Sequence, residues 1–185
     1  MSKTDENLLK AIAGESMARN KYTYFAEQAT KEGQMWIAQV FEETAGNERA
    51  HAQEEYELLK EKTEMTNTYD IIPQASTLDN LKQSISGETH EYTEMYPDFE
   101  AIAKVEGNTA AETLFREIKE TEEKHAERYT ILAGLVENDK LYQSESEIEW
   151  KCLNCGYVHK GKEAPKSCPL CKKPQGWYMG LGITR

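Results

Sequence analysis

The chain has 185 residues, with 33 acidic against 22 basic side chains and a formal net charge of -11. This excess of negative charge argues against nucleic acid or an anionic membrane surface as the main partner. No apolar stretch approaches the length of a transmembrane helix, and the N-terminal sequence MSKTDENLLK is too polar for a signal peptide. We therefore expect a soluble, cytoplasmic protein without a membrane partner.

The charge is divided unevenly along the chain. Residues 1–149 carry 15 Lys and Arg against 32 Asp and Glu, a formal charge of -17, whereas residues 150–185 carry seven against one, a formal charge of +6. A chain of this length has room for one sizeable core and one small module held together by a metal. We predict two domains, residues 1–146 and residues 147–185.

The first half of the larger domain contains two segments of helical periodicity with polar residues on the apolar stripe. The first stripe includes Glu15, and Gly33 after it is a typical helix C-terminal signal. The second stripe includes Glu48 and His51. All three of these polar side chains are therefore predicted to point into the core.

The second half shows the same organisation. Its first stripe includes Glu88 and Glu91 and continues beyond Pro97, which predicts a kinked helix rather than a helix end. Its second stripe includes Glu122 and His125. The domain is therefore predicted to contain four helices that each bury at least one carboxylate.

The two halves repeat one another. The Gly-Glu dipeptide at position 14 recurs at position 87, an offset of 73, whereas the other repeated residues recur at an offset of 74. The second half has thus gained one residue between Glu88 and Tyr96. We predict a π-bulge there, because such bulges absorb one extra residue in a helix and are frequent at functional sites. The residues repeated at the larger offset are Tyr22, Phe25, Gly33, Glu48 and His51, which recur as Tyr96, Phe99, Gly107, Glu122 and His125.

Glu48 with His51 and Glu122 with His125 form two Glu-x-x-His pairs. Residues three apart share a helix face, so each pair presents one oxygen and one nitrogen to a metal ion. One such pair alone is usually a solvated helix surface. Two pairs with further inward carboxylates would be very costly in a core without cations, and this arrangement is the described pattern of ferritin-like di-iron and di-manganese proteins. We predict two metal ions, with iron as the first choice.

Tyr22 and Tyr96 lie seven and eight residues after Glu15 and Glu88, along the same stripes. Both are predicted to reach the metal pocket, where a hydroxyl holds a carboxylate or donates to a bound oxygen ligand. An ordinary core aromatic is the alternative for each.

The basic tail holds two C-x-x-C pairs, Cys152 with Cys155 and Cys168 with Cys171. In an unexported chain, this spacing predicts one tetrahedral metal site with four thiolate ligands rather than disulfides. The ligands alone leave the metal open between iron and structural zinc.

The segment around these cysteines, WKCLNCGYVHKGKEAPKSCPLCKKP, resembles the rubredoxin domain of the rubrerythrin family. The segments AGESMARNKYTYFAEQATKEG, ETAGNERAHA, GETHEYTEMYP and EEKHAERY resemble the di-iron motifs of that family, in the same order. The resemblance covers nearly the whole chain. It implies an all-α four-helix ferritin-like bundle followed by a small, loop-rich β rubredoxin-like metal domain.

The resemblance also implies an activity. Rubrerythrins are peroxide-detoxifying proteins, generally homodimers, in which a non-haem di-iron centre reduces hydrogen peroxide to water and a mononuclear, rubredoxin-type iron centre with four cysteine ligands delivers electrons. It implies a peroxidase of the NADH peroxidase type, which acts with a separate NAD(P)H-dependent reductase or a small redox protein. A ferritin-like ferroxidase with a structural four-cysteine domain is the alternative, and a zinc-ribbon interaction module on a metal-binding bundle is a third interpretation.

Residue roles follow from the same resemblance. Glu91 is implied to be an extra carboxylate that exchanges with His51 on one iron between the reduced and oxidised states. The implied catalytic residues are Glu91, His51, Tyr22 and Tyr96. The implied metal ligands are Glu15, Glu48, His51, Glu88, Glu91, Glu122 and His125 in the bundle and Cys152, Cys155, Cys168 and Cys171 in the tail.

Overall fold

The computed structural model describes residues 2–61 and 64–183. Its helices pack as a four-helix bundle, in which α1 lies against α2 and α5 lies against both α3 and α4. A π-helical turn joins α3 to α4 without a break, so these three segments form the third helix of the bundle. The helices are α1 (Lys3–Lys31), α2 (Met35–Leu58), α3 (Thr77–His90), the π-helical turn (Glu91–Met95), α4 (Tyr96–Val105) and α5 (Thr109–Glu137). None of the described helices is both long and apolar enough to cross a membrane.

The two helix pairs end and restart in the same way. Gly33 follows α1 with a φ of 75°, and Gly107 follows α4 with a φ of 72°. Glycine adopts this left-handed conformation without a steric penalty, which makes it the usual residue just beyond a helix C-terminus. The repeated glycines therefore produce the repeated helix hairpins.

The helix that carries Glu88 contains the predicted π-bulge. The π-helical turn spans Glu91–Met95, and the backbone N–H of Tyr96 donates to the carbonyl of Glu91, five residues back. This turn lies between Glu88 and Tyr96, where the repeat offset places the extra residue. The prediction of a π-bulge is confirmed, and the helix continues past Pro97, the second residue of α4.

Two apolar clusters lie on either side of the inward carboxylates. On α1, Leu8 precedes Glu15 by two turns and belongs to one cluster, whereas Tyr22 follows by two turns and belongs to the other. Glu15 thus lies in a polar layer between two apolar layers, which limits access of water to it. The first cluster contains Leu8, Tyr96, Phe99 and Phe115, and the second contains Tyr22, Phe25, Phe41 and Tyr129.

The tail forms a small three-stranded antiparallel sheet in the order β2-β1-β3, with β1 (Gln143–Cys152), β2 (Val158–Glu163) and β3 (Tyr178–Gly180). Trp150 of β1 is fully buried, and its indole N–H donates to the Gly161 carbonyl at 3.0 Å. The predicted fold class, a helical bundle with a small β metal domain, is confirmed. The predicted domain boundary between residues 146 and 147 stays a prediction, and it falls within β1 where the pairing register shifts.

The sheet domain packs on the α1–α2 end of its own bundle. Trp36 of α2 and Trp150 of β1 belong to one buried cluster. The backbone approaches most closely at Gly176, where an added Cβ would lie 1.9 Å from the carbonyl oxygen of Gly33. Glycine at position 176 is therefore a requirement of this contact.

We expect Gly176→Ala to separate the tail from the helix pair, because a backbone carbonyl has no rotamer by which to move away. The cost in unfolding free energy is about 1–3 kcal/mol, the range for overpacking. Urea unfolding followed by tryptophan fluorescence measures it. In the control Gly134→Ala, the new Cβ meets nothing within 4 Å, and helix propensity predicts a gain of about 0.5–1 kcal/mol. Equal destabilisation of both variants would contradict the close approach.

Candidate metal centres

Six side chains from the four helices converge in the polar layer of the bundle. They form two groups of potential ligand atoms, and within each group the atoms lie within 4.8 Å of one another. All four carboxylates are buried, which is exceptional for unpaired acids. One group consists of Glu15, Glu48, His51 and Glu122, and the other consists of Glu48, Glu88, Glu122 and His125.

Glu48 and Glu122 belong to both groups, since each turns one oxygen towards each histidine. His51 Nδ1 lies 3.0 Å from Glu48 Oε2 and 2.9 Å from Glu122 Oε1. His125 Nδ1 lies 3.4 Å from Glu48 Oε1 and 2.6 Å from Glu122 Oε2. Glu48 and Glu122 would therefore each be able to hold both ions of a metal pair.

Glu15 and Glu88 lie at opposite ends of the pair. Glu15 Oε2 is 3.8 Å from His51 Nδ1, and Glu88 Oε2 is 3.6 Å from His125 Nδ1. Each end of the site therefore offers one histidine and one terminal carboxylate.

The hydrogen bonding and the charge of the ligand atoms show whether a pair of metal ions fits the site. Buried polar atoms without partners are costly, so such a concentration of them requires a cation. Two divalent cations would balance the four carboxylates in charge, and mixed carboxylate and imidazole donors suit iron or manganese. The close contacts between these ligand atoms do not have the geometry of hydrogen bonds. The ligand atoms without a hydrogen-bond partner among the described residues are Glu15 Oε2, both oxygens of Glu48 and Glu122, Glu88 Oε2, and Nδ1 of His51 and His125.

In the absence of metal, protons balance part of this charge. Burial raises the pKa of Glu88 to about 8. Burial alone would lower the pKa of His125, but its contacts with Glu122 and Glu48 raise that pKa to about 12. Metal binding at this site is therefore expected to release protons.

The two predicted tyrosines hold carboxylates across the repeat. The Tyr22 hydroxyl donates to Glu88 Oε1, and the Tyr96 hydroxyl donates to Glu15 Oε1. Each tyrosine thus contacts the terminal carboxylate of the other half. Both residues reach the pocket as predicted, and their catalytic roles stay predictions.

Glu91 lies beside the site rather than in it. It begins the π-helical turn, is half-buried, and belongs to neither group of ligand atoms. Burial, followed by the nearby charge of Glu88, raises the pKa of Glu91 well above its usual range. Its role as a ligand stays a prediction.

Two residues of the site were not predicted from the sequence. Asn47 Nδ2 lies 3.1 Å from His125 Nε2. With its amide turned so that the oxygen faces the ring, Asn47 accepts the Nε2 proton and directs Nδ1 at the carboxylates. Glu55, fully buried on α2, has Oε1 3.0 Å from the Tyr96 hydroxyl. Glu55 lies four residues after His51 and seven after Glu48, so helical spacing already places it on the inward stripe of α2.

The four cysteines of the tail come together as predicted. Cys152 Sγ lies 3.7 Å from Cys171 Sγ, and Cys155 Sγ lies 3.6 Å from Cys168 Sγ. Thiolates on a tetrahedron about 2.3 Å from a central metal are about 3.8 Å apart. The spacing therefore fits one tetrahedrally coordinated metal ion.

The two cysteine pairs have similar turns. The N–H of Gly156 donates to the Cys152 carbonyl at 2.8 Å, and the N–H of Lys172 donates to the Cys168 carbonyl at 2.9 Å. Both residues have a positive φ, 76° and 63°. Burial would raise the pKa of Cys168, but the nearby Tyr178 hydroxyl and backbone N–H groups lower it to about 6, which favours the thiolate that binds metal.

Comparison with known proteins places both sites in one family. Residues 6–133 match the family model described as Rubrerythrin, and residues 150–178 match the model described as Rubrerythrin, rubredoxin-like domain. The chain belongs to the rubrerythrin family. The carboxylate and histidine cluster is thus the di-iron site of a rubrerythrin, and the four-cysteine cluster is its rubredoxin-type iron site. Membership supports an iron-based oxidoreductase role in peroxide detoxification in general.

Individual relatives match over nearly the full length. The rubrerythrin of Nitratidesulfovibrio vulgaris is 42% identical over 184 residues, which cover 99% of this chain and 96% of that protein. The rubrerythrin of Porphyromonas gingivalis is 42% identical over 178 residues, which cover 96% of this chain and 89% of that protein. The structure of nigerythrin in its fully reduced, all-ferrous state is also similar, with a TM-score of 0.67 and 36% identity over 97% of this chain and 87% of that one.

Proposed function

We propose that this protein is a cytoplasmic peroxidase that reduces hydrogen peroxide to two water molecules at the bundle site, with electrons that arrive through the four-cysteine site. The reaction takes two electrons and two protons, and a pair of ferrous ions supplies one electron each when bound. The observation that carries the proposal is Glu91, a further carboxylate held on a π-helical turn beside the four that face the metals. Four carboxylates would already balance two divalent ions, so a fifth favours a site that must compensate added charge during turnover.

Residue roles in the bundle follow from the geometry. Glu48 and Glu122 would bridge the two metals, because each has one oxygen near each histidine. Tyr22 and Tyr96 would hold the terminal carboxylates and the protons on them. The proposed bundle ligands are Glu15, Glu48, His51, Glu88, Glu91, Glu122 and His125, and the proposed ligands of the tail are Cys152, Cys155, Cys168 and Cys171.

We propose that Glu91 replaces His51 as a ligand when the site is oxidised, and charge would give this exchange its direction. Four carboxylates would balance two divalent ions, so the neutral ring of His51 would suit the reduced state. In the oxidised state, with two further positive charges, the anionic Glu91 would compensate part of the added charge. Its place on a π-helical turn would allow the backbone to move it by a small change in geometry.

The electron route favours a head-to-tail homodimer. The sheet domain lies against Gly33, and Glu15 is 18 residues before that glycine on α1. At 1.5 Å per residue, this separation is about 27 Å along the helix. Electron tunnelling weakens steeply with distance, so we propose that the tail of one subunit instead serves the bundle site of its partner. An NAD(P)H-dependent reductase or a small redox protein would reduce the tail.

One experiment tests the proposed activity against iron storage. Iron-loaded protein is mixed with an NADH-dependent reductase and with either hydrogen peroxide or ferrous iron and oxygen. The peroxidase consumes NADH in proportion to peroxide and retains its stoichiometric iron. Accumulation of ferric iron without peroxide-dependent NADH consumption would instead support a ferroxidase.

Mixed dimers test the route between subunits. We expect heterodimers of a Cys168→Ser chain with a Glu48→Ala/His51→Ala chain to recover NADH-dependent peroxide turnover, since one chain supplies the electron donor and the other supplies an intact bundle site. Each homodimer serves as the inactive control. Purified heterodimers without activity would contradict the route between subunits.

The dependence of turnover on salt concentration tests whether electrostatic attraction helps the tail to bind at the bundle site of the partner subunit. The tail carries a formal charge of +6 and the rest of the chain carries -17. Exposed charges are screened beyond about 10 Å at 0.1 M salt, so turnover should fall as salt rises while single-turnover reactivity of the reduced protein remains constant. Turnover that does not depend on salt would rule out electrostatic docking.

A further inference from the structure

The Tyr96 hydroxyl has two acidic neighbours rather than one. It lies within hydrogen-bond distance of Glu15 Oε1 and is 3.0 Å from Glu55 Oε1. A phenolic hydroxyl carries one proton and accepts through its oxygen. If Tyr96 donates to Glu15, the contact with Glu55 needs a proton from Glu55 itself.

The surroundings of Glu55 also favour a protonated acid. The residue is fully buried, and its Oε2 has no hydrogen-bond partner among the described residues. Within those residues no lysine or arginine forms an ion pair with it, and an isolated buried carboxylate is very costly. The pKa of Glu55 is raised to about 8, chiefly by burial.

The charged and polar groups that face Glu55 come from three helices. The nearby carboxylates Glu48 on α2 and Glu122 on α5 disfavour its ionised form, whereas His51 on α2 favours it. Tyr96 on α4 provides the hydrogen bond. Bound metals would make His51 a neutral ligand and would balance the charges of Glu48 and Glu122, which leaves burial and the Tyr96 contact as the main influences on Glu55.

We propose that Glu55 is a neutral carboxylic acid that donates a hydrogen bond to the Tyr96 oxygen and so directs the Tyr96 hydroxyl at Glu15. Glu55 is thus a positioning residue for Tyr96, and it keeps a proton in line with the terminal carboxylate of the His51 end. The expected effect of Glu55 on turnover rests on the proposed peroxidase function, whereas the protonation of Glu55 does not depend on that function.

The repeat shows that this arrangement exists at one end of the site only. The position 74 residues after Glu55 is Tyr129, whose ring centroid lies 5.6 Å from that of Tyr22. The neighbour of Tyr22 is therefore the phenol of Tyr129, whereas the neighbour of Tyr96 is the carboxyl group of Glu55. A phenol is a far weaker acid than a carboxyl group. The end of the site that contains His51 and Glu15 is the one supplied with an acidic proton.

Infrared spectroscopy of the iron-loaded protein tests the protonation directly. We expect a C=O stretch of a protonated carboxyl that shifts in D₂O, disappears in Glu55→Gln and moves in Tyr96→Phe, which lacks the hydroxyl acceptor. Glu54→Gln, at the neighbouring exposed position on α2, should leave the band unchanged. Loss of a carboxylate band in Glu55→Gln, instead of a carboxyl band, would overturn the proposal.

Kinetics separate positioning from a structural role. Glutamine retains an N–H donor for Tyr96, whereas leucine of similar size does not. Glu55→Leu should slow the single-turnover reaction with peroxide by about 100-fold, the order of effect of a reacting group misplaced by about 1 Å, and Glu55→Gln should restore most of the rate. Equal loss in both variants would overturn the positioning role. An unreactive wild-type protein that keeps the infrared band would instead reject the peroxidase function and leave the protonation of Glu55 standing.

Discussion

Replacing Cys168 with serine is expected to stop NADH-dependent turnover of peroxide while the chemically reduced bundle site remains reactive. Cys168 is fully buried, and its Sγ lies 3.6 Å from that of Cys155 in the four-thiolate cluster. A serine hydroxyl is a hard, neutral donor that does not replace a soft thiolate. Without the tail iron, electrons no longer reach the bundle, so turnover should fall to the rate of the reductase alone.

Two measurements on the Cys168→Ser protein separate electron delivery from chemistry. Coupled NADH oxidation reports turnover, and stopped-flow mixing of dithionite-reduced protein with peroxide reports the single reaction of the bundle site. Ser167→Ala changes the exposed residue next to Cys168 and should leave both unchanged. Loss of the stopped-flow reaction together with turnover would contradict the separate roles of the two centres, in which the tail delivers electrons and the bundle site reacts with peroxide.

The sequence predicts the ligand layer because the repeat and the periodicity act together. Each inward carboxylate lies on an apolar stripe, and stripes of four amphipathic helices can only meet in one core. The π-helical turn is equally predictable, since a repeat offset that rises from 73 at Glu88 to 74 at Tyr96 requires one inserted residue between them. The ligand layer and the π-helical turn both follow from the spacing of residues along the chain, which can be counted in the sequence.

Glu55 shows where such prediction ends. It lies on α2 among similar acids, and Glu54 and Glu57 are exposed whereas Glu55 is buried. Helical spacing places Glu55 on the inward stripe of α2, four residues after His51 and seven after Glu48, but it does not show which side chain meets it. The contact with Tyr96, which approaches from α4, is visible only in the packing of distant segments.

The contact between tail and bundle shows a second limit. The charge asymmetry predicts attraction between the basic tail and the acidic bundle, but three of the tail lysines have partners in the tail. Lys166 Nζ lies 2.5 Å from Glu163, Lys172 Nζ donates to the Pro169 carbonyl at 2.9 Å, and Lys173 Nζ lies 4.5 Å from the centre of the Trp177 ring. The contact within the chain instead includes apolar packing near Trp36. Electrostatic docking is therefore proposed only for the contact between subunits.

Glu91→Ala is expected to preserve the fold and iron binding but to slow peroxide turnover by about 10- to 100-fold, the usual cost of losing a residue that supports a metal site. The six other bundle ligands remain, and the four facing carboxylates already balance two ferrous ions. The oxidised pair, however, loses the anion that compensates its added charge. The reaction with peroxide should therefore slow while the reduced state remains stable.

Glu94→Ala provides a matched control on the same π-helical turn. Its side chain is 73% exposed and pairs with His90 at 3.4 Å, away from the ligand groups. Iron content and thermal unfolding should be alike in the two variants, so that a difference in the stopped-flow rate with peroxide reports the carboxylate of Glu91 alone. If Glu91→Ala reacts as fast as Glu94→Ala, then Glu91 does not take part in the oxidation, and the charge argument for its exchange with His51 is wrong.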